Sequence, residues 1–199
     1  MKILVFTDVH GNKNVIRKHK EAAKNVDLVL FSGDITFFGH NLGELLELLE
    51  DFPVPVFLIH GNHEDEDDVR EYCSKLSNVR FIHKEIICFK DWFIGAYATS
   101  GLGQTYPAFE EWANKHRDEL LTAKPLIWLD HAPPFGTTTD DLGEDWHVGS
   151  LSLRDFIEEF SPRYVFCGHI HESFGCEDIL KETIVINSGP TGRIIECKK

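Results

Sequence analysis

Five short apolar runs in this chain each end in residues of metal-ligating type, and that repetition constrains the fold more than any other feature. Residues 3–7 run into Asp8-Val9-His10, 28–31 into Gly33-Asp34 and 56–59 into Gly61-Asn62-His63. Residues 126–129 run into Asp130-His131-Ala132-Pro133-Pro134, and 164–167 into Gly168-His169-Ile170-His171. The runs are short and largely of β-forming types, as expected of strands buried on both faces. One histidine after a strand is ordinary. Five polar endings of this kind are not what packing selects, because a strand end kept for packing would stay apolar.

Between the runs the spacing turns helical. Val15, Ile16, His19, Ala22, Ala23 and Val26 fit one amphipathic helix, and Leu42, Leu45, Leu46, Leu49 and Phe52 another. Phe109, Trp112, Ala113, His116 and Leu120 predict a third. Leu153, Phe156, Ile157 and Phe160 predict a fourth, with Ser150 or Ser152 as its cap and Pro162 as its stop. Residues 85–99 read as a hairpin turning near Lys90-Asp91, and residues 183–197 as a second one turning across 188–192. Alternating β and α units with added hairpins predict a layered α/β domain whose sheets are partly antiparallel. In open α/β sheets the strand C-terminal ends carry the site, which is where the ligand-type residues lie.

With 199 residues and no linker, repeat or low-complexity tract, residues 1–199 are expected to form a single domain. The 33 acidic and 20 basic side chains leave a net charge of −13, which argues against a broad surface for nucleic-acid polymers or anionic membranes. No apolar run approaches the ~18 residues of a membrane span, and the apolar start is too short for a signal peptide. Cys73, Cys88, Cys167, Cys176 and Cys197 show no paired spacing, which suits reduced thiols and a cytoplasmic location.

The set D-x-H, G-D, G-N-H-E, H-A-P-P and G-H-x-H, in this order from Asp8 to His171, resembles the calcineurin-like metallophosphoesterase family, in its small phosphodiesterase-type branch. That resemblance implies a four-layer α/β/β/α sandwich with two mixed β-sheets. It also implies two divalent ions: Asp8, His10 and His171 would hold one, Asn62, His131 and His169 the other, and Asp34 would bridge them. Nitrogen and oxygen donors without thiolate suit Mn, Fe, Zn, Co or Ni. Two ions, two carboxylates and a bridging hydroxide leave net positive charge for a phosphate. The resemblance further implies in-line attack by that hydroxide, with His63 as the catalytic group that protonates the leaving oxygen.

The chain departs from the family's G-D-x-x-D-R-G pattern. It reads Gly33-Asp34-Ile35-Thr36-Phe37-Phe38-Gly39, so the Asp that orients the histidine and the Arg that grips phosphate are replaced by phenylalanines. A dianionic monoester needs more cationic help than a monoanionic diester, so the expected activity is hydrolysis of small phosphodiesters. A phosphomonoesterase or nuclease with the same centre is the alternative, and a non-catalytic scaffold of the same fold is the alternative from another class. Phe37, Phe38, Phe135 and Trp146 are candidates for an apolar wall against the substrate, and His147, in the acidic loop after His131 that also holds Asp140 and Asp145, for contact with its phosphate. The acidic run 64–68 is read as favourable charge at a helix N-terminus.

Overall fold

The computed structural model describes residues 1–144 and 146–198, so Asp145 of the acidic loop and Lys199 lie outside the described residues. Two mixed sheets face each other. In the first, β1 (Lys2–Phe6), β2 (Leu28–Phe31), β3 (Val56–Leu58) and β4 (Val79–Phe81) run parallel. β11 (Arg193–Glu196) pairs antiparallel with β1 at the edge. In the second, β6 (Trp92–Ala96), β7 (Leu126–Leu129), β8 (Tyr164–Cys167) and β10 (Thr183–Asn187) are parallel. Antiparallel β5 (Glu85–Phe89) and β9 (Glu177–Leu180) close its two edges.

Side-chain alternation makes the layers. Ile3, Val5, Leu28 and Leu30 point from the first sheet onto Ile94, Ile127, Leu129 and Phe166 of the second, and all are buried. Their neighbours Leu4, Phe6, Val29 and Phe31 face outward against α1 (Lys13–Ala22) and α2 (Leu42–Glu50), with α3 (Glu66–Cys73) beside them. On the far side Trp128, Val165 and Cys167 pack against α4 (Pro107–Lys115) and α6 (Leu151–Phe160). The result is an α/β/β/α sandwich with two mixed sheets, as the family resemblance implies. Among the described residues no helix is long and apolar enough to cross a membrane.

Two local expectations fail. The helix predicted across 109–120 divides at His116, which leaves helical geometry (φ −101°, ψ 17°) while its ring bonds to the Trp112 carbonyl at 2.8 Å. A second helix, α5 (Arg117–Thr122), resumes in time to bury Leu120, so the periodicity survives the break. Residues 183–197 are not a hairpin either. β10 and β11 belong to different sheets, and the segment between them carries the chain from one sheet to the other. The hairpin at this end is β9–β10, turning at Lys181, which adopts φ +55° without being glycine or asparagine and so gives no turn signal.

Candidate metal centre

β1, β2 and β3 of one sheet and β7 and β8 of the other deliver their C-terminal ends to one place. Asp8, His10, Asp34 and His169 all adopt positive φ there, at 53°, 42°, 57° and 69°. Such backbone is strained for side-chain-bearing residues and collects at functional sites. Close approach also dictates two glycines: a Cβ at Gly61 would land on the Asp34 carboxylate, and one at Gly168 on Asp8.

The donor atoms form two groups. His10 Nε2 lies 3.2 Å from His171 Nε2 and 3.8 Å from Asp8 Oδ1, and His171 Nε2 is 3.5 Å from that same oxygen. In the second group Asn62 Oδ1 is 3.0 Å from His131 Nε2 and 2.9 Å from His169 Nδ1. Asp34 Oδ2 faces both, 3.8 Å from His10 Nε2 and 3.4 Å from His131 Nε2. Donors ~2.1 Å from one ion stand about 3.0 Å apart in octahedral and about 3.4 Å in tetrahedral coordination. The separations of 2.9 to 3.5 Å match such ligand edges, and the two of 3.8 Å, both at His10, are wider.

Ring tautomers sharpen the fit. His131 Nδ1–H donates to the Ser32 carbonyl at 2.8 Å, and His10 Nδ1–H to that of Thr36 at 3.1 Å. Each bond puts the Nδ1 proton behind and turns Nε2 inward, the usual outer support of a metal-ligating histidine. His63 differs. The Phe38 amide donates to His63 Nδ1 at 3.2 Å, so the ring proton of neutral His63 is on Nε2, 3.8 Å from Asp34 Oδ2. A protonated Nε2 is a donor and not a ligand. His63 thus lies within 4.8 Å of the donor atoms of His10 and Asp34 but turns its ring proton toward the carboxylate.

Glu64 is the functional residue that sequence reasoning misplaces. It is buried and accepts from the amides of Asp34 and Gly61 (both 3.0 Å), and from the amide and hydroxyl of Thr36 at 2.8 and 2.6 Å. The helix cap is Asp65, which takes the amides of Asp67 and Asp68. Glu64 instead ties the loop carrying Asp34 to the loop carrying Asn62. The signal was its place directly after Gly61-Asn62-His63, masked by the acids that follow.

The electrostatics match a cation site. Burial would raise the Asp34 carboxyl, but the neighbouring His131 charge prevails and holds it at about 2. Burial likewise works against a charge on His131, and the Asp34 carboxylate overcomes it, lifting His131 to about 10. Burial and the charge of His131 push His169 down to about 4, while the hydrogen bond to Asp8 raises His171.

The other predicted residues divide. Phe37 and Phe38 are exposed beside His63, with ring centroids 5.4 and 4.3 Å from it. Phe135 and Trp146 are not part of the same wall: Phe135 meets His147 at 5.9 Å, and among the described residues Trp146 is exposed and makes no ring contact. His147 Nδ1 bonds to Asp140 at 2.8 Å, and the buried Asp140 also takes the amides of Gly136, Thr137 and Gly149. His147 thus helps order its own loop.

One more histidine–carboxylate group lies nearby. His60, Glu66 and His83 bring ligand-type atoms within 4.8 Å of one another. There the Ala98 amide donates to His83 Nδ1 at 2.8 Å, so His83 Nε2–H points to Glu66 at 3.2 Å. Arg70 and Lys84 already neutralise Glu66, at 2.8 and 3.0 Å. The protons occupy the positions a metal would need.

A family model described as calcineurin-like phosphoesterase matches residues 1–173. An uncharacterized protein of Methanocaldococcus jannaschii is 34% identical over 200 residues, spanning 96% of this chain and 88% of that one. A probable glycerophosphodiester phosphodiesterase GpdQ of Arcobacter nitrofigilis is 25% identical over 158 residues, 73% of this chain but only 56% of the relative. Among solved structures, TT1561 of Thermus thermophilus shares the fold, with a TM-score of 0.74 at 15% identity over 96% of this chain and 90% of that one.

Proposed function

Because the chain belongs to the calcineurin-like phosphoesterase family of metal-dependent phosphoester hydrolases, we propose that it hydrolyses small phosphodiesters at two divalent ions. Asp8, His10 and His171 would hold one ion, Asn62, His131 and His169 the other, and Asp34 both. The observation that carries this reading is the single Asp34 oxygen facing His10 Nε2 at 3.8 Å and His131 Nε2 at 3.4 Å. When bound, the ions supply charge for the phosphoryl oxygens and activate the attacking water. Mn, Fe, Zn, Co and Ni all suit the donor set, with manganese the first to try.

The protein's own part is positioning and hydrogen bonding. The His63 amide holds Asp34 Oδ1 at 3.0 Å, which leaves Oδ2 to face the two donor groups. His63 Nε2–H is offered to the leaving oxygen as a hydrogen bond, its tautomer fixed by the Phe38 amide, and the proton that oxygen finally takes comes from water. That amide donates to Nδ1 where the family's carboxylate would accept from it, so it selects the neutral ring. The expected role of His63 as the group that protonates the leaving oxygen is corrected to that of a hydrogen-bond donor.

Diesters are favoured because cationic help is missing. Phe37 and Phe38 stand where the family's pattern has its Asp and phosphate-gripping Arg, and among the described residues no lysine or arginine forms an ion pair with Asp8 or Asp34. The relative named as a probable glycerophosphodiester phosphodiesterase lends weight to the same choice. Small substrates rather than polynucleotides, a cytoplasmic location and action as one domain belong to this proposal, supported by the charge of −13 and by cysteines that form no disulfide.

A substrate panel tests it. Metal-stripped protein given Mn²⁺ is offered a p-nitrophenyl monoester, bis-p-nitrophenyl phosphate, cyclic nucleotides and single-stranded DNA. The missing charge-assisted bond is worth about 1.5–3 kcal/mol, so kcat/KM should favour the diester over the monoester roughly ten- to a hundredfold. A tenfold preference for the monoester would replace the diesterase reading with a phosphatase.

A further inference from the structure

Resting on that phosphodiesterase reading, we propose that Phe37 and Phe38 form a shelf that selects a flat aromatic leaving group carrying no negative charge. Their exposures, 56% and 67%, rule out a packing role. Their rings meet each other edge-on, with centroids 4.9 Å apart and planes at 76°, and both flank His63. Phe37 also reaches His10, at 6.3 Å. The leaving oxygen must lie at His63 Nε2, so the group attached to that oxygen continues over these rings.

Phe38 is also a poor choice for its backbone. It adopts φ +50°, where a bulky side chain is an outlier and glycine would be easier. The fold gains nothing from an exposed ring on strained backbone. The site gains two things from the one residue: an amide aimed at His63 Nδ1 and a ring beside the same imidazole. The loop is pinned in this shape, since the Gly39 amide bonds to Thr36 Oγ1 at 2.9 Å and Thr36 is held by buried Glu64.

Charge narrows the ligand. A hollow of about 370 Å³ lies against Phe38, and its remaining border includes Asn62, His63, Asp65 and Asp68. Asp65 and Asp68 are both exposed and stand where substituents on the leaving group would extend. Neutral or cationic rings fit this border, whereas a ring bearing a carboxylate meets like charge.

The test separates the shelf from the centre by way of Phe38→Gly, which keeps the amide, relieves the backbone and removes only the ring; Phe37→Ala removes the other ring. Calorimetric binding of phenylphosphonate, methylphosphonate and 4-carboxyphenylphosphonate to Mn²⁺-loaded protein reads the shelf without turnover. Two aromatic contacts should give the wild type a phenyl-over-methyl preference of about five- to tenfold and discrimination against the carboxylate. Each variant should bring the phenyl-over-methyl ratio toward one, and Phe37→Tyr should retain it. In kinetics, methyl p-nitrophenyl phosphate and bis-p-nitrophenyl phosphate should lose kcat/KM by equal factors in the variants, because both present an aryl leaving group. A loss confined to the bis-aryl diester would place the shelf under the other ester group and overturn the proposal. Hydrolysis by the wild type with a phenyl-over-methyl ratio near one, or a ratio unchanged in both variants, would overturn it too and leave the phosphodiesterase reading intact. Wild-type protein that hydrolyses no p-nitrophenyl ester would overturn the phosphodiesterase reading itself.

Discussion

Around Asp34 the backbone offers carbonyls to the histidines, whereas at His60, Glu66 and His83 it offers His83 an amide. The residue types are nearly the same, although the first group draws on strand ends of both sheets and the second lies beside β3 and β4 of the first. Ser32 and Thr36 accept from the Nδ1–H groups of His131 and His10, so both Nε2 atoms turn toward a shared carboxylate. The Ala98 amide donates a hydrogen bond to His83 Nδ1, so a ring proton points at Glu66 from Nε2, and Arg70 and Lys84 complete the neutralisation. The backbone group behind each ring decides whether a histidine cluster opens toward a cation or closes on its own protons. His63 follows the second pattern inside the first cluster, which is why it is a donor there.

The largest way to break this contrast is Asp34→Asn. It removes the one oxygen that faces both donor groups while leaving the loops in place. Metal content by elemental analysis should fall by most of its value, and turnover should fall by more than the roughly 10–100-fold that loss of an outer partner costs. Asp8→Asn should weaken mainly the ion at His10 and His171. An Asp34→Asn protein with two ions and near-normal turnover would show that the shared carboxylate is not a bridge.

Next in size is Glu64→Gln. Glu64 accepts four hydrogen bonds from the two loops that carry Asp34 and Asn62, and an amide in its place turns a donor toward backbone donors. Metal affinity should fall about 10–100-fold, the usual effect of losing an outer partner, and melting temperature should fall with it. Unchanged affinity would mean that the loops hold their shape without this carboxylate.

Much of this was legible in the sequence because it rests on period and position. Apolar runs of strand length gave the central strands, and the polar residue after each run gave the place of the site. What stayed hidden depends on distant backbone. The Phe38 amide behind His63 and the Ala98 amide behind His83 come from other loops, and no local spacing announces them. Glu64 was hidden by resemblance to its neighbours, since a carboxylate turned inward and one capping a helix look alike in a row of acids. The strand β9 has only one buried residue, Leu180, so it lacked the alternation that reveals an edge strand.

The smallest effect belongs to the closed cluster, and it sharpens the comparison. His83→Gln keeps a donor near Glu66 and should leave both bound ions and turnover as they are. Stability against pH should change instead. Burial lowers His83 in the folded protein, so between the unfolded value of about 6.5 and its lower folded value the unfolded chain binds more protons. Its contribution is therefore full above pH 6.5 and is lost as pH falls, at a slope of at most about 1.4 kcal/mol per pH unit for one proton. Glu66 is also lowered, because burial, which would raise it, is outweighed by its hydrogen bonds to Arg70 and Lys84, but it adds its own acid dependence only below about 4.5, where an unfolded glutamate begins to protonate. The window from pH 6.5 to 4.5 thus isolates His83 within the pair. Denaturant melts of wild type and His83→Gln at several pH values in that window should diverge near neutrality and approach each other on acidification. Parallel curves, or a bound ion lost with His83, would mean that the second cluster is not closed in the way its hydrogen bonds require.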